Sequence, residues 1–457
     1  MNGMTGRLAE FVSGLDIDAI PRPVRERAGV LAVDSIGIAI RARHDVALAG
    51  PLLRALGHLG LSAGNSSIIG DTATCSALGA ALVNGTLIHA LDFDDTYAPG
   101  ALHPSAPALG AALVAAEAEG AGGAELVAGV VAGYEVLCRL AKALGAADHY
   151  DRGFHPSATC GAFGATAAAA RVMRLTPGEV ADAFGIVLSL CAGSMQFLAN
   201  GAWTKAFQVG NAAAAGLMAA TMAREGYRGA ALAIEGDKGF LNSYAPNPVA
   251  EKAVAGLGAV WETMQIAIKP YPACRFAHAA MDAAIALRAR HGFTLEDVTA
   301  VECGLSRKAI DLVGAPIERK RQARTTVEGQ FSAPFLVAVA LAEGGMGWDS
   351  YGRQLGQPAI EAAMRKVSVR LDPRIEALFP ERFGGSIIID LIDGRRLEGL
   401  VETPKGEPEN FVTDAEIGAK FTDLVQPYLG ERTAALFERV LDLENADIQA
   451  LLRATRP

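Results

Sequence analysis

The 457-residue chain is 51% hydrophobic, only 6% aromatic and carries 51 glycines, a composition that favours tightly packed alanine-rich helices over a β-sandwich. Its formal charge is −9 and no segment carries a basic stripe, which argues against a nucleic-acid partner and means that an anionic substrate needs cations placed locally against the overall sign. Six scattered cysteines show no C-x-x-C spacing, which excludes zinc-ribbon and thioredoxin-like patterns, and they read as reduced thiols in a cytoplasmic protein.

From the start to about residue 265 the pattern is helical. One Ala/Leu/Gly-rich run leads into His89, and another begins near Ser105, which is placed to cap it. His89 and Asp92, three apart, are expected on one helical face. Thr176-Pro177-Gly178-Glu179 spells an N-cap, a proline at the first helical position and a capping-box glutamate, opening a helix toward Leu190. The uncharged run from Ala183 to Thr204 reads as a buried helix with a polar end rather than a membrane span. Asn211 to Glu225 is apolar nearly all round and is expected to be buried, with Gly226 near its C-cap.

The texture changes after Trp261. Val298 to Leu305 and Val367 to Leu371 have strand composition. Ser386 to Leu391 and Arg396 to Val401 flank Asp393-Gly394, the signal of a type I′ hairpin. Helices are expected at about Ala277–His291 and Ser332–Ala342, and again from Asp414 to Leu424. The fold expected is mainly α: a large all-helical domain (residues 1–265), an inserted smaller α+β lid domain (266–403), and C-terminal helices (404–457) that complete the first domain.

Five clusters carry candidate chemistry. His89 to Pro107 holds Asp92, Asp94, Asp95, Thr96, Tyr97 and His103 between two apolar runs, where polar groups need each other or a ligand. The acidic run loosely suggests Mg²⁺ chelation, but no second acidic cluster of that kind sits on another helix, so no metal is expected. Arg152 to Ser157 places His155 before the glycine- and alanine-rich stretch GAFGATAAAA, as a helix starter or a second acid or base. Lys205 stands at the mouth of the uncharged run, able to hold a carboxylate or to reach solvent. Lys269-Pro270-Tyr271-Pro272-Ala273-Cys274-Arg275 marks the expected domain boundary, where the prolines would hold Lys269 and Arg275 in a cleft. Arg324 lies in a charged loop and could clamp a carboxylate or simply be solvated.

The segments HALDFDDTY…LHPSAP, RGFHPSATCGAFGA, GAWTK…GNAAAAGL, IEGDKGF, KPYPACRFAHAAMDA and PKGEPEN…KF, in this order, resemble the MmgE/PrpD family, whose members include 2-methylcitrate dehydratase, cis-aconitate decarboxylase and iminodisuccinate epimerase. The resemblance implies a homodimer and a site between the domains that uses neither cofactor nor metal. It matches Asp92, Thr96 and His103 to the family's first active-site segment, His155 to its G-F-H-P histidine, Lys205 to its T-K lysine and Lys269 to its interdomain lysine. The chain departs from the pattern at Cys274, where decarboxylase-like relatives have histidine, and at Phe207-Gln208-Val209-Gly210, where many members read L-H-x-G.

The family's reactions share a carbanion formed next to a carboxylate. Lys205, Lys269, Arg275 and Arg324 are the cations available to spread that charge, and His103 and His155 can exchange protons near neutrality. Asp92 is assigned to orient His103. The reading is a lyase on a small anionic polycarboxylate, first a hydro-lyase of the 2-methylcitrate dehydratase kind in propionate metabolism. A dicarboxylate epimerase, a cis-aconitate-type decarboxylase and a helical scaffold that has kept the fold are the alternatives, and Mg²⁺-dependent chemistry on a diphosphate is another.

Overall fold

The computed structural model describes residues 3–379 and 381–457. The chain is mainly helical and divides into two compact units: everything up to Ile266 together with Asp414–Pro457, and Ala267–Thr413.

In the first unit, α1 (Arg22–Asp45), α2 (Ala77–His89), α3 (Ser105–Glu119), α4 (Gly123–Leu144), α5 (Pro156–Val172), α6 (Pro177–Val187) and α7 (Thr204–Arg224) build the core. Every residue of α5 is buried, as a helix with no polar face must be. It packs against α3, α4 and α7, and α7 packs in turn on α2. Such crowding requires small residues. A Cβ at Gly164 would lie 3.0 Å from the Gly133 carbonyl, and one at Gly161 would lie 2.9 Å from Pro107. The backbones therefore approach closely and align the ends of α2, α5 and α7.

Local signals explain the helix starts. Thr176 accepts from the Glu179 amide while Glu179 accepts from the Thr176 amide at 2.7 Å, a complete capping box with Pro177 at the first position. The uncharged run from Ala183 is not one helix. α6 stops at Val187, 3₁₀ turns occupy Leu188–Leu190 and Met195–Ala199, and α7 starts anew at Thr204. Ser194 turns its hydroxyl to the Gln196 amide and Gly201 takes φ +65°, so local polar groups break the helix despite its hydrophobicity. Ser105 is already inside α3, preceded by Pro104 with no side-chain cap; its hydroxyl serves Asp95 instead.

The C-terminal segment returns to this unit as α10 (Asp414–Leu429) and α11 (Arg432–Leu441), both packed on α1. α10 runs past Leu424 with Pro427 inside it.

The second unit contains a four-stranded sheet of β1 (Val298–Leu305), β2 (Val367–Leu371), β3 (Gly385–Leu391) and β4 (Arg396–Val401), in the order β2-β1-β3-β4. β1 is parallel to β2 and antiparallel to β3, and β3 is antiparallel to β4. Helix α8 (His278–His291) covers β3 and β4, and α9 (Ala333–Glu343), capped by Ser332, packs on α8. Val301, Cys303, Ile387, Ile389 and Val337 lie in the core between them. The hairpin turn is not type I′. Only Gly394 has positive φ, and the Leu391 amide reaches the Arg395 carbonyl across a longer loop.

Candidate active site

α2 ends at His89, and the residues that follow are fixed one after another. Asp92 lies beyond the helix with φ +52°, so His89 and Asp92 do not share a helical face. The left-handed conformation is tolerable for aspartate and re-aims the chain. The Asp92 carboxylate is ion-paired with Lys205 in the first turn of α7. Asp94, fully buried, accepts from or pairs with two imidazoles. His89 Nδ1 is 2.7 Å from Oδ2, and His103 Nδ1 is 3.3 Å from Oδ1. Asp95 takes the Ser105 amide at 3.1 Å and the Ser105 hydroxyl at 2.5 Å, and that hydroxyl lies 2.6 Å from the Tyr134 hydroxyl. Thr96 follows, buried, in a two-residue extended segment.

The orienting role expected of Asp92 thus falls at Nδ1 to Asp94. The reason is spacing: the turn at Asp92 sends the carboxylate two residues on toward the imidazoles and leaves Asp92 facing α7.

His155 precedes Pro156 at the start of α5 and is buried. Its Nδ1 is 3.1 Å from Gln208 Oε1, while Gln208 Nε2 donates to the Ser194 carbonyl at 2.9 Å. That second bond fixes the amide, so Oε1 is the acceptor and the His155 proton sits on Nδ1. In the sequence Gln208 stands out only as a departure from L-H-x-G, although its position three residues after Lys205 puts the two on one side of a helix. The three rings cluster: His89 lies 4.6 Å from His103 and 5.9 Å from His155, centroid to centroid. The His103 amide donates to Ser157 Oγ at 3.1 Å, which ties this loop to α5.

The charges sort themselves. Burial alone would raise the Asp94 carboxyl, but His103 and His89 outweigh it and hold Asp94 well below the ordinary carboxylate range. Burial and the charge on Asp94 push Asp95 well above that range, against the opposing hydrogen bonds of Ser105. Burial, then His89, Lys205 and His103, drive His155 well below the usual histidine value, so it is neutral. The side chains of His103 and Lys205 keep partial exposure, 12% and 19%, while those of His89 and Asp94 have none. A ligand arriving from solvent therefore meets His103 and Lys205 first.

His89, Asp94 and His103 bring one ligand atom each within 4.8 Å of one another, the grouping that could hold a cation among the described residues. The carboxylate offers a different oxygen to each imidazole.

The remaining candidates lie in the second unit. Lys269 is buried, and its neighbour Ile268 donates to the Gly406 carbonyl at 3.0 Å, so the KPYPACR and PKGEPEN segments meet. The Tyr271 hydroxyl donates to Asp282 at 2.7 Å, and Cys274 is buried with its amide on the Gln330 carbonyl. Arg275 is engaged internally, with Nε and Nη2 on Glu407 at 2.9 and 2.6 Å and Nη1 on the Lys405 carbonyl at 3.0 Å. The carboxylate paired with exposed Arg324 is the chain's own Glu361. These two arginines serve structural ion pairs, a use that residue type alone does not distinguish from ligand binding. All six cysteines are buried, and no disulfide is present among the described residues. No helix among the described residues is long and apolar enough to cross a membrane.

Comparison with known proteins adds two findings. Residues 6–253 match the MmgE/PrpD N-terminal domain and residues 271–443 the MmgE/PrpD C-terminal domain. The chain is 28% identical to a cis-aconitate decarboxylase-like protein of Aspergillus oryzae, over 98% of its own length and 96% of that protein. It is 28% identical to cis-aconitate decarboxylase of Aspergillus terreus, over 99% of its length and 95% of the relative. It is 29% identical to the human cis-aconitate decarboxylase, over 83% and 80% of the two chains.

Proposed function

Since the chain belongs to the MmgE/PrpD family, we propose that it is a lyase and that it decarboxylates a cis-aconitate-type tricarboxylate. The observation that carries this reading is that His103, backed by Asp94, and Lys205, paired with Asp92, both act on buried His155, in a chain similar to cis-aconitate decarboxylases over nearly its whole length. The decarboxylase alternative therefore takes precedence over the hydro-lyase expected first.

Lys205 attracts a substrate carboxylate, with Asp92 holding the ammonium in place. The C–C bond to the carboxymethyl carboxylate breaks and CO₂ leaves. The electron pair stays on carbon and spreads through the adjacent double bond toward the far carboxylate. A proton from the Nε2 side of His103 then closes the valence at the far carbon, and solvent restores it. Asp94 fixes the ring and stabilises its protonated form. His155, neutral with its proton on Nδ1, presents Nε2 as an acceptor that orients a protonated substrate carboxyl group. No dissociable cofactor enters this scheme, and a homodimeric state is carried over from the family resemblance.

Incubation with cis-aconitate, 2-methylcitrate, citrate and iminodisuccinate in D₂O, followed by NMR, tests it. The expected result is CO₂ release from cis-aconitate, one deuterium in the product, and loss of at least about 10²-fold in kcat for His103→Ala. Water loss from 2-methylcitrate with cis-aconitate untouched restores the hydro-lyase, and deuterium wash-in without net product points to an epimerase. Turnover of none of the four, with His103→Ala and Lys205→Ala biologically silent, leaves the scaffold reading.

A further inference from the structure

The segment from Asp92 to Asp95 is held at each residue, and one of the holding groups comes from the far end of the chain. Lys420 lies on α10, 327 positions beyond Phe93. Its Nζ donates to the Phe93 carbonyl at 2.9 Å, pairs with Asp34 Oδ1 at 2.5 Å and sits 3.7 Å from the centre of the Phe93 ring. The Lys420 side chain is 8% exposed and that of Asp34, on α1, not at all.

Burying a lysine and an aspartate is costly, and a pair of hydrophobic residues would serve the packing as well or better. A lysine also spends its three donors where they are needed. Here one of them grips the carbonyl between Asp92, which holds Lys205, and Asp94, which holds His89 and His103. The peptide it grips follows directly on the left-handed turn at Asp92, a conformation that persists only when its surroundings enforce it. The aromatic ring of the same residue faces the ammonium, so Phe93 is held by both its main chain and its side chain.

We propose that Lys420 is a positioning residue, which fixes the Asp92–Asp94 turn so that Lys205 and His103 stand at their working separation, while Asp34 only neutralises the buried ammonium. This rests on the decarboxylase reading for its kinetic consequence, but not for its structural one.

The test separates clamping from charge pairing. Asp34→Asn removes the ion pair and keeps the bond to Phe93; kcat on cis-aconitate is expected within about 3-fold of wild type. Lys420→Met/Asp34→Asn removes the clamp without stranding a buried charge. Its melting temperature is expected to stay above that of Lys420→Met alone, while kcat falls roughly 10–10²-fold and KM moves less than about 3-fold, the signature of misplaced catalytic groups. Hydrogen exchange of the amides from Asp92 to Tyr97 is expected to quicken at least about 10-fold in the double variant and to stay at the wild-type rate in Asp34→Asn. The proposal is overturned if the double variant regains wild-type kcat along with its stability, if Asp34→Asn loses as much kcat as Lys420→Met, or if exchange in the turn is unchanged. Should the wild-type protein not act on cis-aconitate, the decarboxylase reading fails by itself, and the exchange rates alone decide whether Lys420 holds the turn.

Discussion

His155 is neutral because it is buried among cations and other imidazoles, and that has a consequence for stability as well as for chemistry. Its folded value lies below the unfolded one, which is about 6.5. Between the two, the unfolded chain binds a proton that the folded chain does not, so folding stability rises with pH there and falls as pH drops below about 6.5. His149, whose value is likewise lowered by burial, adds to the same slope. Replacing His155 by glutamine, which mimics the neutral ring, is therefore expected to flatten the dependence of unfolding free energy on pH between about 7 and 5. The difference is at most about 1.4 kcal/mol per pH unit. Urea titrations across that range measure it, and parallel curves for wild type and His155→Gln would mean that the imidazole takes up its proton equally in the folded and the unfolded chain. At this scale the sequence revealed the actors better than their pairings. His103, His155, Asp92 and Lys205 were all visible as polar groups at the ends of apolar runs, and they converge. That Asp94 rather than Asp92 backs His103 at Nδ1 depends on one backbone turn, and the partner role of Gln208 depends on an amide fixed by Ser194. Neither follows from residue type.

The helices of the first unit were legible wherever hydrophobic continuity and capping chemistry agreed, as at Thr176–Glu179, and misread where they conflicted, as between Val187 and Thr204. In that stretch the apolar content promised one buried helix, while Ser194 and Gly201 favoured turns. The break is useful to the site, because a fresh helix start puts Lys205 in the first turn of α7. What then sets the position of that turn is the approach of α7 to its neighbours. A Cβ at Gly210 would collide with the Leu82 carbonyl and the Thr86 hydroxyl of α2, and one at Gly216 would lie 2.5 Å from the backbone of Ala165 in α5. Backbone atoms cannot swing aside as a side-chain tip can. Gly210→Ala is expected to destabilise the protein by roughly 1–3 kcal/mol by overpacking and to lower activity as well, since α7 must move and carry Lys205 with it. Gly178→Ala is the control. That glycine sits in the first turn of α6 with open space around it, and the exchange is expected to be neutral or to stabilise by up to about 1 kcal/mol. Equal behaviour of the two variants in denaturant melts would sink the close-approach argument.

At the scale of the chain, the first unit is discontinuous: its last helices come after the whole of the second unit. Sequence pattern located helix from Asp414 onward, yet offered no means of seeing that one lysine there reaches the turn at Asp92–Asp95, because a contact across 327 positions leaves no local trace. The energetic weight of this return can be judged from what it buries. Ile417, Phe421, Leu424, Val425 and Leu429 of α10 and Leu436 and Val440 of α11 are all buried. At roughly 1.5–3 kcal/mol for each such side chain, they contribute about 10–20 kcal/mol before entropy is counted. That matches or exceeds the net stability of about 5–15 kcal/mol typical of a folded domain. Removal of the segment also strips the apolar face of α1 and deprives Asp34 of the Lys420 ammonium. A chain ended at Thr413 is accordingly expected to lose cooperative unfolding and near-ultraviolet circular dichroism while retaining much of its helical far-ultraviolet signal, the behaviour of a collapsed state without fixed packing. A cooperative urea transition at the wild-type midpoint in that truncated chain would show that the first unit is complete without its C-terminal helices, and that the turn bearing Asp92 and Asp94 is held by the preceding helices alone.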